Sequence, residues 1–329
     1  MLKILVIFAL GTVLGFNYAR KIDNKKITDI SNFRPLLANQ SDFKLIQPLL
    51  TYRIPKSLAA DAYAKFFGLI SAEVKKGEAS GELINASVYF RDLKQGRWTG
   101  INEQDKYEPA SLLKVVIMIS YFKQAENNPK LFSEEFSYTQ AIKDASDIPF
   151  GSVSNLEVGK KYMVQELINN MIINSDNGAM NLLLDSGNPE ALQQFYSLIN
   201  IQNPDTQPGS YTISTQTYSI FFRILFNATY LNYDYSEKAL ELLSQVKFTE
   251  GLADGLPEGV SIAHKFGEHV VGENGQAKEV GLHDCGIVYY PDHPYLLCVM
   301  TRGKNRAYLT EFIKTISRLA YQDTQERYK

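Results

Sequence analysis

The sequence predicts an α+β protein, in which an antiparallel sheet drawn from both chain ends is flanked by helices and carries a helical insertion. Strand-like patterns occupy residues 83–100 and return after Gly259. Between them, from Ser111 to about Val246, helical periods dominate. The length of 329 residues and a hydrophobic content of 45% suffice for one large or two closely packed domains. Because the strands come from both ends of the sequence, we expect a functional site where the sheet meets the helical insertion.

The N-terminal twenty residues differ from the rest of the chain. After Lys3, an uncharged and mostly apolar run extends over residues 4–16 and is followed by Arg20 and Lys21. Such a run is typical of a secretory signal peptide or a signal anchor, and the sequence leaves both open. We therefore expect export to the periplasm or cell surface, with membrane contact through residues 1–20 if they are uncleaved. Residues 21–56 have no sustained period and are expected to form a linker and irregular lead-in.

The remaining elements follow in order along the chain. A first helix is predicted from Ser57 to Gly77, and the strand patterns within residues 83–100 predict a hairpin. Helical periods then occupy 111–126, 162–173, 190–199, 215–231 and 236–246. Strands are predicted at 261–266, 280–290 and 295–302, before a closing helix at 306–321 and a polar tail at 323–329. The predicted domain spans 57–322, with a helical subdomain at about 111–258.

The two cysteines are predicted to be reduced. A four-residue loop over 291–294 would place Cys285 opposite Met300 and Cys298 opposite Ile287. In that register the two sulfur atoms are diagonal neighbours on one sheet face, too far apart for easy bridging. Both are therefore expected to be buried core residues.

A serine and a lysine one helical turn apart form the first candidate catalytic pair. Ser111 precedes an apolar helical run and Lys114 lies at the i+3 position on the same face. A lysine desolvated in such a run has a lowered pKa and accepts the serine proton. The alternative is a helix cap followed by a lysine that reaches solvent. The same spacing recurs at Ser41 with Lys44 and at Ser244 with Lys247.

Two further polar motifs follow Ser111 in the chain. Ser175, Asp176 and Asn177 interrupt two apolar stretches, and Lys265-Phe266-Gly267 ends a predicted strand. Structural explanations exist for both, because Ser, Asp and Asn favour caps and turns and a strand often ends in an exposed lysine.

In this order the three motifs resemble the S-x-x-K, S-D-N and K-T-G set of class A β-lactamases and penicillin-binding proteins. The resemblance extends over residues 57–321 and implies a β-lactamase/transpeptidase-like fold. The implied roles are Ser111 as nucleophile, Lys114 as base, Ser175 as proton relay, Asn177 as donor to the substrate amide carbonyl, Lys265 as partner of a substrate carboxylate, Gly267 as room for the substrate, and the N–H groups of Ser111 and Glu268 as oxyanion hole. Asp176 is expected to be structural.

Two departures from the family pattern bear on turnover. Phe266 replaces the hydroxyl residue that would share carboxylate binding, which puts classical β-lactam recognition in doubt. Class A enzymes also activate the deacylating water with a glutamate after the second motif. Between Ala191 and Ser236 this sequence has no glutamate, and Asp205 and Asp234 are its only acids there. The sequence predicts fast acylation with slow release, or transfer to another acceptor.

The leading expectation is an exported serine hydrolase acting on a β-lactam or related amide. One alternative is a cell-wall D,D-peptidase acting on peptidoglycan stem peptides, and another is a non-catalytic, membrane-tethered binding domain. No metal or other cofactor is expected, because the four histidines match no zinc spacing. With 34 basic and 36 acidic residues, no global field recruits nucleic acid. We expect a monomer.

Overall fold

The described part of the chain is organised around a five-stranded antiparallel sheet. The computed structural model describes residues 44–46, 63–146, 154–201, 211–273 and 276–329. The predicted N-terminal segment, 1–20, and most of the predicted linker, 21–56, lie outside these residues. Its strands are β1 (Leu83–Asp92), β2 (Trp98–Ile101), β7 (Ile262–Glu273), β8 (Gln276–Val288) and β9 (Tyr295–Gly303). Their order across the sheet is β2-β1-β9-β8-β7.

The centre of the sheet joins the two ends of the domain. Strand β1 pairs with β9 over almost its whole length, with Val88 opposite Val299. Strand β7 lies at one edge and pairs only with β8 within the sheet. The prediction of an antiparallel sheet built from both ends of the sequence is therefore confirmed.

Helices cover both faces of this sheet. They are α1 (Ala64–Ser80), α2 (Lys114–Ala125), α3 (Gln140–Ser146), α4 (Val164–Ile173), α5 (Asn177–Ser186), α6 (Pro189–Leu198), α7 (Thr215–Phe226), α8 (Tyr233–Leu243) and α9 (Arg306–Arg327). Short 3₁₀ turns occur at Ala110–Leu113, Pro129–Ser133 and Ala253–Gly255. Two small ladders pair β3 (Lys106–Tyr107) with β6 (Ile213–Ser214) and β4 (Glu135–Ser137) with β5 (Lys161–Met163).

The sheet lies between two apolar cores. Helices α1 and α9 pack on one face, where Phe66 and Ile313 are fully buried. The other face meets the helical part, whose centre is α2. Nearly every residue of α2 is buried, because its apolar run is continuous rather than confined to one stripe. Lys114, the first residue of α2, is therefore buried as well.

The cysteine prediction is wrong, because Cys285 and Cys298 form a disulfide. The two residues lie directly opposite each other in the β8–β9 ladder, which ends with Val288 opposite Tyr295. Tyr289 leaves the ladder, and its backbone N–H donates to Ser261 O at 3.0 Å. The loop therefore begins two residues earlier than predicted. That shift of register brings the two sulfur atoms face to face on adjacent strands.

Several helix ends differ from the prediction. Helix α7 ends at Phe226 rather than at 231, because Ala228 adopts a left-handed conformation with φ of 46°. Asn232 then caps α8, and its side chain accepts from Tyr235 N. The closing helix α9 runs on to Arg327 and includes most of the predicted polar tail. Within the described ranges, no helix has both the length and the apolar character needed to cross a bilayer.

Candidate active site

Ser111 lies in the 3₁₀ turn that precedes α2 and is partly exposed. Ala110, directly before it, has a left-handed φ of 49°, which is unusual for a residue with a side chain. The turn is closed by Leu112 N, which donates to Pro109 O at 3.0 Å. Tyr218 of α7 donates its hydroxyl to Leu112 O at 2.9 Å. These contacts fix a strained turn that presents the Ser111 hydroxyl.

Lys114, one turn further on, is completely buried. Its Nζ contacts Ser111 Oγ at 2.9 Å, Ser175 O at 2.6 Å and Asn177 Oδ1 at 2.8 Å. Ser175 Oγ lies at 3.2 Å from the same nitrogen. Burial lowers the pKa of Lys114 to about 7, against the opposing influence of Asp176. A substantial fraction of this amine is therefore neutral at neutral pH.

The polar turn between α4 and α5 supplies two of these partners. Ser175 adopts a left-handed conformation with φ of 55°. Asp176 caps α5 by accepting from Ala179 N at 2.9 Å, and its other oxygen accepts from Asn155 N at 3.1 Å. The expectation that Asp176 has a structural position agrees with these contacts. Because Asp176 holds the turn, Ser175 and Asn177 both face Lys114.

Lys265, on edge strand β7, is the second lysine that contacts Ser175. Its Nζ donates to Ser175 Oγ at 2.9 Å and to Phe266 O at 3.2 Å. Complete burial, together with the nearby charge of Lys114, lowers the pKa of Lys265 well below its usual range, despite the opposing influence of Asp284. Ser175 Oγ thus bridges two buried amines, an arrangement that can move a proton between them.

Gly267 brings the edge of β7 against the turn before Ser111. A Cβ at this position would lie 2.6 Å from Pro109 O and 3.2 Å from Leu112 N, so only glycine fits without movement. The next residue, Glu268, directs its carboxylate to Arg306, with Oε2 3.0 Å from Nε. All seven predicted site residues therefore lie on the three elements that meet here: the Ser111 turn with α2, the Ser175 turn with α5, and β7.

His283 is a positioning contact that the sequence reasoning did not assign. Its Nε2 lies 2.9 Å from Glu108 O, and its Nδ1 lies 3.2 Å from Thr301 N. A neutral ring with the proton on Nε2 satisfies both, because the carbonyl only accepts and the amide only donates. Burial lowers the pKa of His283 to about 4. The ring thereby ties the segment before Ser111 to β8 and β9.

The other three histidines occupy separate positions. His264 Nδ1 lies 2.9 Å from Asp284 Oδ1, and the second oxygen of Asp284 accepts from Leu252 N at 3.0 Å. His269 lies 3.3 Å from the carboxylate of Glu108, and His293 stacks on a tyrosine ring. Among the described residues, no group of three or more His, Cys, Asp or Glu side chains is placed to hold a metal ion.

The surroundings of each serine–lysine pair show which pair lies in the candidate active site. Ser244 is exposed, and its hydroxyl donates to Glu241 O at 2.8 Å; Lys247 is also exposed. Ser41 lies outside the described residues. Of the two pairs that the structure describes in full, only Ser111 and Lys114 meet the other motifs.

Three acids of the helical part lie in the first turns of helices. Glu166 Oε2 accepts from Met163 N at 2.9 Å at the start of α4. Glu190 and Asp234 lie in the first turns of α6 and α8. Asp205 lies outside the described residues.

Two comparisons by sequence found related proteins. A sequence model of the Beta-lactamase enzyme family matches residues 70–324. The chain is 30% identical to Beta-lactamase L2 of Stenotrophomonas maltophilia over 109 residues, which are 33% of this chain and 35% of that protein. The match thus spans about a third of the length of that curated relative.

Solved structures share the fold. PBP-A has a TM-score of 0.65 at 22% identity, covering 79% of this chain and 96% of that chain. A mutant of PBP-A, solved as an acyl-enzyme complex with penicillin G, has the same TM-score and identity, covering 79% and 97%. A beta-lactamase from Chitinophaga pinensis has a TM-score of 0.65 at 19% identity, covering 78% and 99%. At these identities the likeness establishes the fold, in agreement with the sequence prediction.

Proposed function

The chain belongs to the beta-lactamase enzyme family, and on that premise we propose that it is an exported serine hydrolase that forms an acyl-enzyme on Ser111. The substrate is a β-lactam or a related amide. One observation carries the proposal: Lys114 Nζ lies 2.9 Å from Ser111 Oγ and is held there by Ser175 O and Asn177 Oδ1. A buried neutral amine beside a serine hydroxyl is a nucleophile with its general base.

In the acylation step, Lys114 accepts the Ser111 proton as Oγ attacks the substrate carbonyl carbon. The backbone N–H groups of Ser111 and Glu268 stabilise the oxyanion. As the carbon–nitrogen bond breaks, Ser175 gives its proton to the leaving nitrogen and regains one from a neighbouring lysine. The contacts of Ser175 Oγ with both Lys114 and Lys265 support this relay. Because Asn177 Oδ1 is taken by Lys114, its amide N–H groups are the ones offered to the substrate.

We propose that release of the acyl group is slow. The sequence between Ala191 and Ser236 lacks a glutamate, and the carboxylate of Glu166 is bound to Met163 N at the start of α4. The structurally similar PBP-A mutant was solved as an acyl-enzyme complex with penicillin G, which supports an acyl-enzyme as the intermediate proposed for this chain. The same missing base favours a second candidate function, a cell-wall D,D-peptidase that acylates Ser111 with a peptidoglycan stem peptide.

Export is part of the proposal. The apolar run at residues 4–16 supports it, and so does the Cys285–Cys298 disulfide, because such bonds persist in oxidising compartments outside the cytosol.

Intact-mass analysis after incubation with a fluorescent penicillin and a chromogenic cephalosporin tests the function. We expect an adduct on the full-length protein that Ser111→Ala abolishes and Ser244→Ala leaves unchanged. Ser244 is the matched control, because it shares the spacing to a lysine but is exposed and distant in sequence. A long-lived adduct supports slow release, and a turnover rate equal to that of efficient β-lactamases contradicts it. Failure of every acyl donor to label Ser111 contradicts the enzymatic reading and favours a binding domain.

A further inference from the structure

An aromatic pair covers the strand side of the candidate active site. The ring of Phe266 stacks on that of Phe248, with centroids 4.1 Å apart and an angle of 16° between the planes. Phe248 comes from the segment between α8 and β7, so the pair joins two separate parts of the chain. The Phe266 centroid also lies 4.2 Å from Lys265 Nζ. The ring therefore lies over the amine that the sequence motif assigns to a substrate carboxylate.

The protein surrounds the Lys265 amine. Its Nζ lies within hydrogen-bonding distance of Ser175 Oγ and Phe266 O, and the ring of Phe266 covers a third side. Lys265 has no exposed surface. A substrate carboxylate can reach this nitrogen only if the aromatic ring moves and the stack with Phe248 is broken.

The charged residues that follow Phe266 on β7 are already paired. Glu268 contacts Arg306 at 3.0 Å, and Arg306 also contacts Glu250 at 2.8 Å. His269 lies 3.3 Å from the carboxylate of Glu108. Arg306 can therefore receive a substrate carboxylate only in competition with two carboxylates of the protein.

Resting on the proposed function, we propose that Phe266 is a specificity-determining residue that closes the carboxylate subsite beside Lys265. The enzyme then favours acyl donors that carry no carboxylate next to the scissile bond: neutral amides, lactams or esters. The groups on the helical side keep their mutual contacts in this structure, since Lys114 Nζ still reaches Ser111 Oγ, Ser175 O and Asn177 Oδ1 beside the closed subsite. In this arrangement Lys265 serves the Ser175 relay and does not bind substrate.

A matched pair of substrates tests the inference. Benzylpenicillin and its methyl ester differ only in the carboxylate, and the second-order rate constant for acylation of Ser111 is measured for both by intact mass. We expect the wild type to react at least about tenfold faster with the ester. The variant Phe266→Thr removes the ring and supplies a hydroxyl, and we expect it to shift the acid-to-ester ratio toward the acid by at least about tenfold. Phe266→Leu, the control, keeps an apolar cover and should keep the preference for the ester.

The ratio within one variant is independent of the fraction of protein that is folded, so a partly unfolded variant still gives an answer. A wild type that prefers the acid, or a ratio unchanged in Phe266→Thr, overturns the inference and leaves the proposed function standing. A neutral fluorophosphonate provides the independent control for the nucleophile. If the acid, the ester and the fluorophosphonate all fail to label Ser111, the proposed function is overturned and the inference falls with it.

Discussion

The two sides of the cleft differ in what they retain. The helical side, with Ser111, Lys114, Ser175 and Asn177, is polar throughout, and Lys114 contacts the other three. The strand side keeps Lys265 and Gly267 but has an aromatic ring between them. Ser175 Oγ is the atom at which the two sides meet. The comparison teaches that the two sides are separate elements joined at one hydroxyl, so residues of the strand side can change while the contacts among the helical-side residues are kept.

The largest effect is expected from removing the base on the helical side. Lys114→Met deletes the amine that we propose accepts the Ser111 proton, and we expect the rate of Ser111 labelling to fall by roughly 10³–10⁴-fold, as for loss of a member of a catalytic unit. Lys247→Met removes an exposed lysine with the same spacing to a serine and should leave the rate unchanged. Intact-mass time courses measure both. A loss of less than about tenfold in Lys114→Met would assign the base elsewhere.

The disulfide tests whether the strand side can be weakened without affecting the helical side. Cys285 lies between Lys265 and Cys298 in one row across β7, β8 and β9. Replacing both cysteines by serine should lower the free energy of unfolding by about 2–4 kcal/mol, the usual range for a native disulfide. Denaturant melts with and without reductant measure it, and reduced wild type should match the variant.

At 25 °C we expect Ser111 labelling of the folded double variant to stay within about threefold of wild type. Equal stability of oxidised wild type and variant would contradict the stabilising role. A large loss of labelling in the folded variant would show that the two sides are not separable.

The pH dependence of acylation tests the two lysines that meet at Ser175, Lys114 and Lys265. Burial lowers the pKa of Lys114 to about 7, so the base is protonated and inactive below this pH and neutral above it. We expect the acylation rate to rise about tenfold per pH unit up to about pH 7, or roughly 100-fold from pH 5, and then to level off. Because Lys265 is buried nearby, the apparent pKa belongs to the pair.

The profile is measured by labelling with the uncharged methyl ester. Because this substrate has no carboxylate to titrate, the pH dependence reports groups of the protein. Circular dichroism at each pH serves as the control for folding. A profile that is flat from pH 5 to 7, or that rises only near pH 10, would exclude a neutral Lys114 as the base.

The smallest effect is expected at the exposed rim of the strand side. Arg306→Ala removes two ion pairs, with Glu268 and Glu250, at positions where the arginine side chain is 40% exposed. Such pairs contribute about 0–1 kcal/mol each, because solvent and salt screen them. We expect a change of less than about threefold in Ser111 labelling by the ester. A tenfold loss that persists at high salt would place Arg306 among the groups that position Glu268.

The local features of the site were predictable from the sequence, and the long-range ones were not. Ser111 and Lys114 lie one helical turn apart, so their shared face follows from helix geometry alone. Their meeting with Ser175 and Lys265 spans more than 60 residues in each case, and only the resemblance to a known family anticipated it. The fold class followed from the positions of the strand and helix patterns.

The cysteine error traces to strand register. Tyr289 and Tyr290 continue an apolar run and favour a longer strand, but the chain leaves the β8–β9 ladder after Val288. A shift of two residues keeps every side chain on its predicted face and changes only which residues face each other. The pairing of Cys285 with Cys298 was missed for that reason, and hydrophobic pattern alone does not reveal such a shift.

The pairing of β1 with β9 also governs how the protein is made. Strands separated by about 200 residues form the centre of the sheet, so the sheet cannot be completed until the ribosome has delivered the last strand. Contacts of such high sequence separation slow folding and leave intermediates with unpaired strand edges. Lys265 on β7 therefore reaches its position beside Ser175 only late in synthesis, about 90 residues after Ser175 has been made.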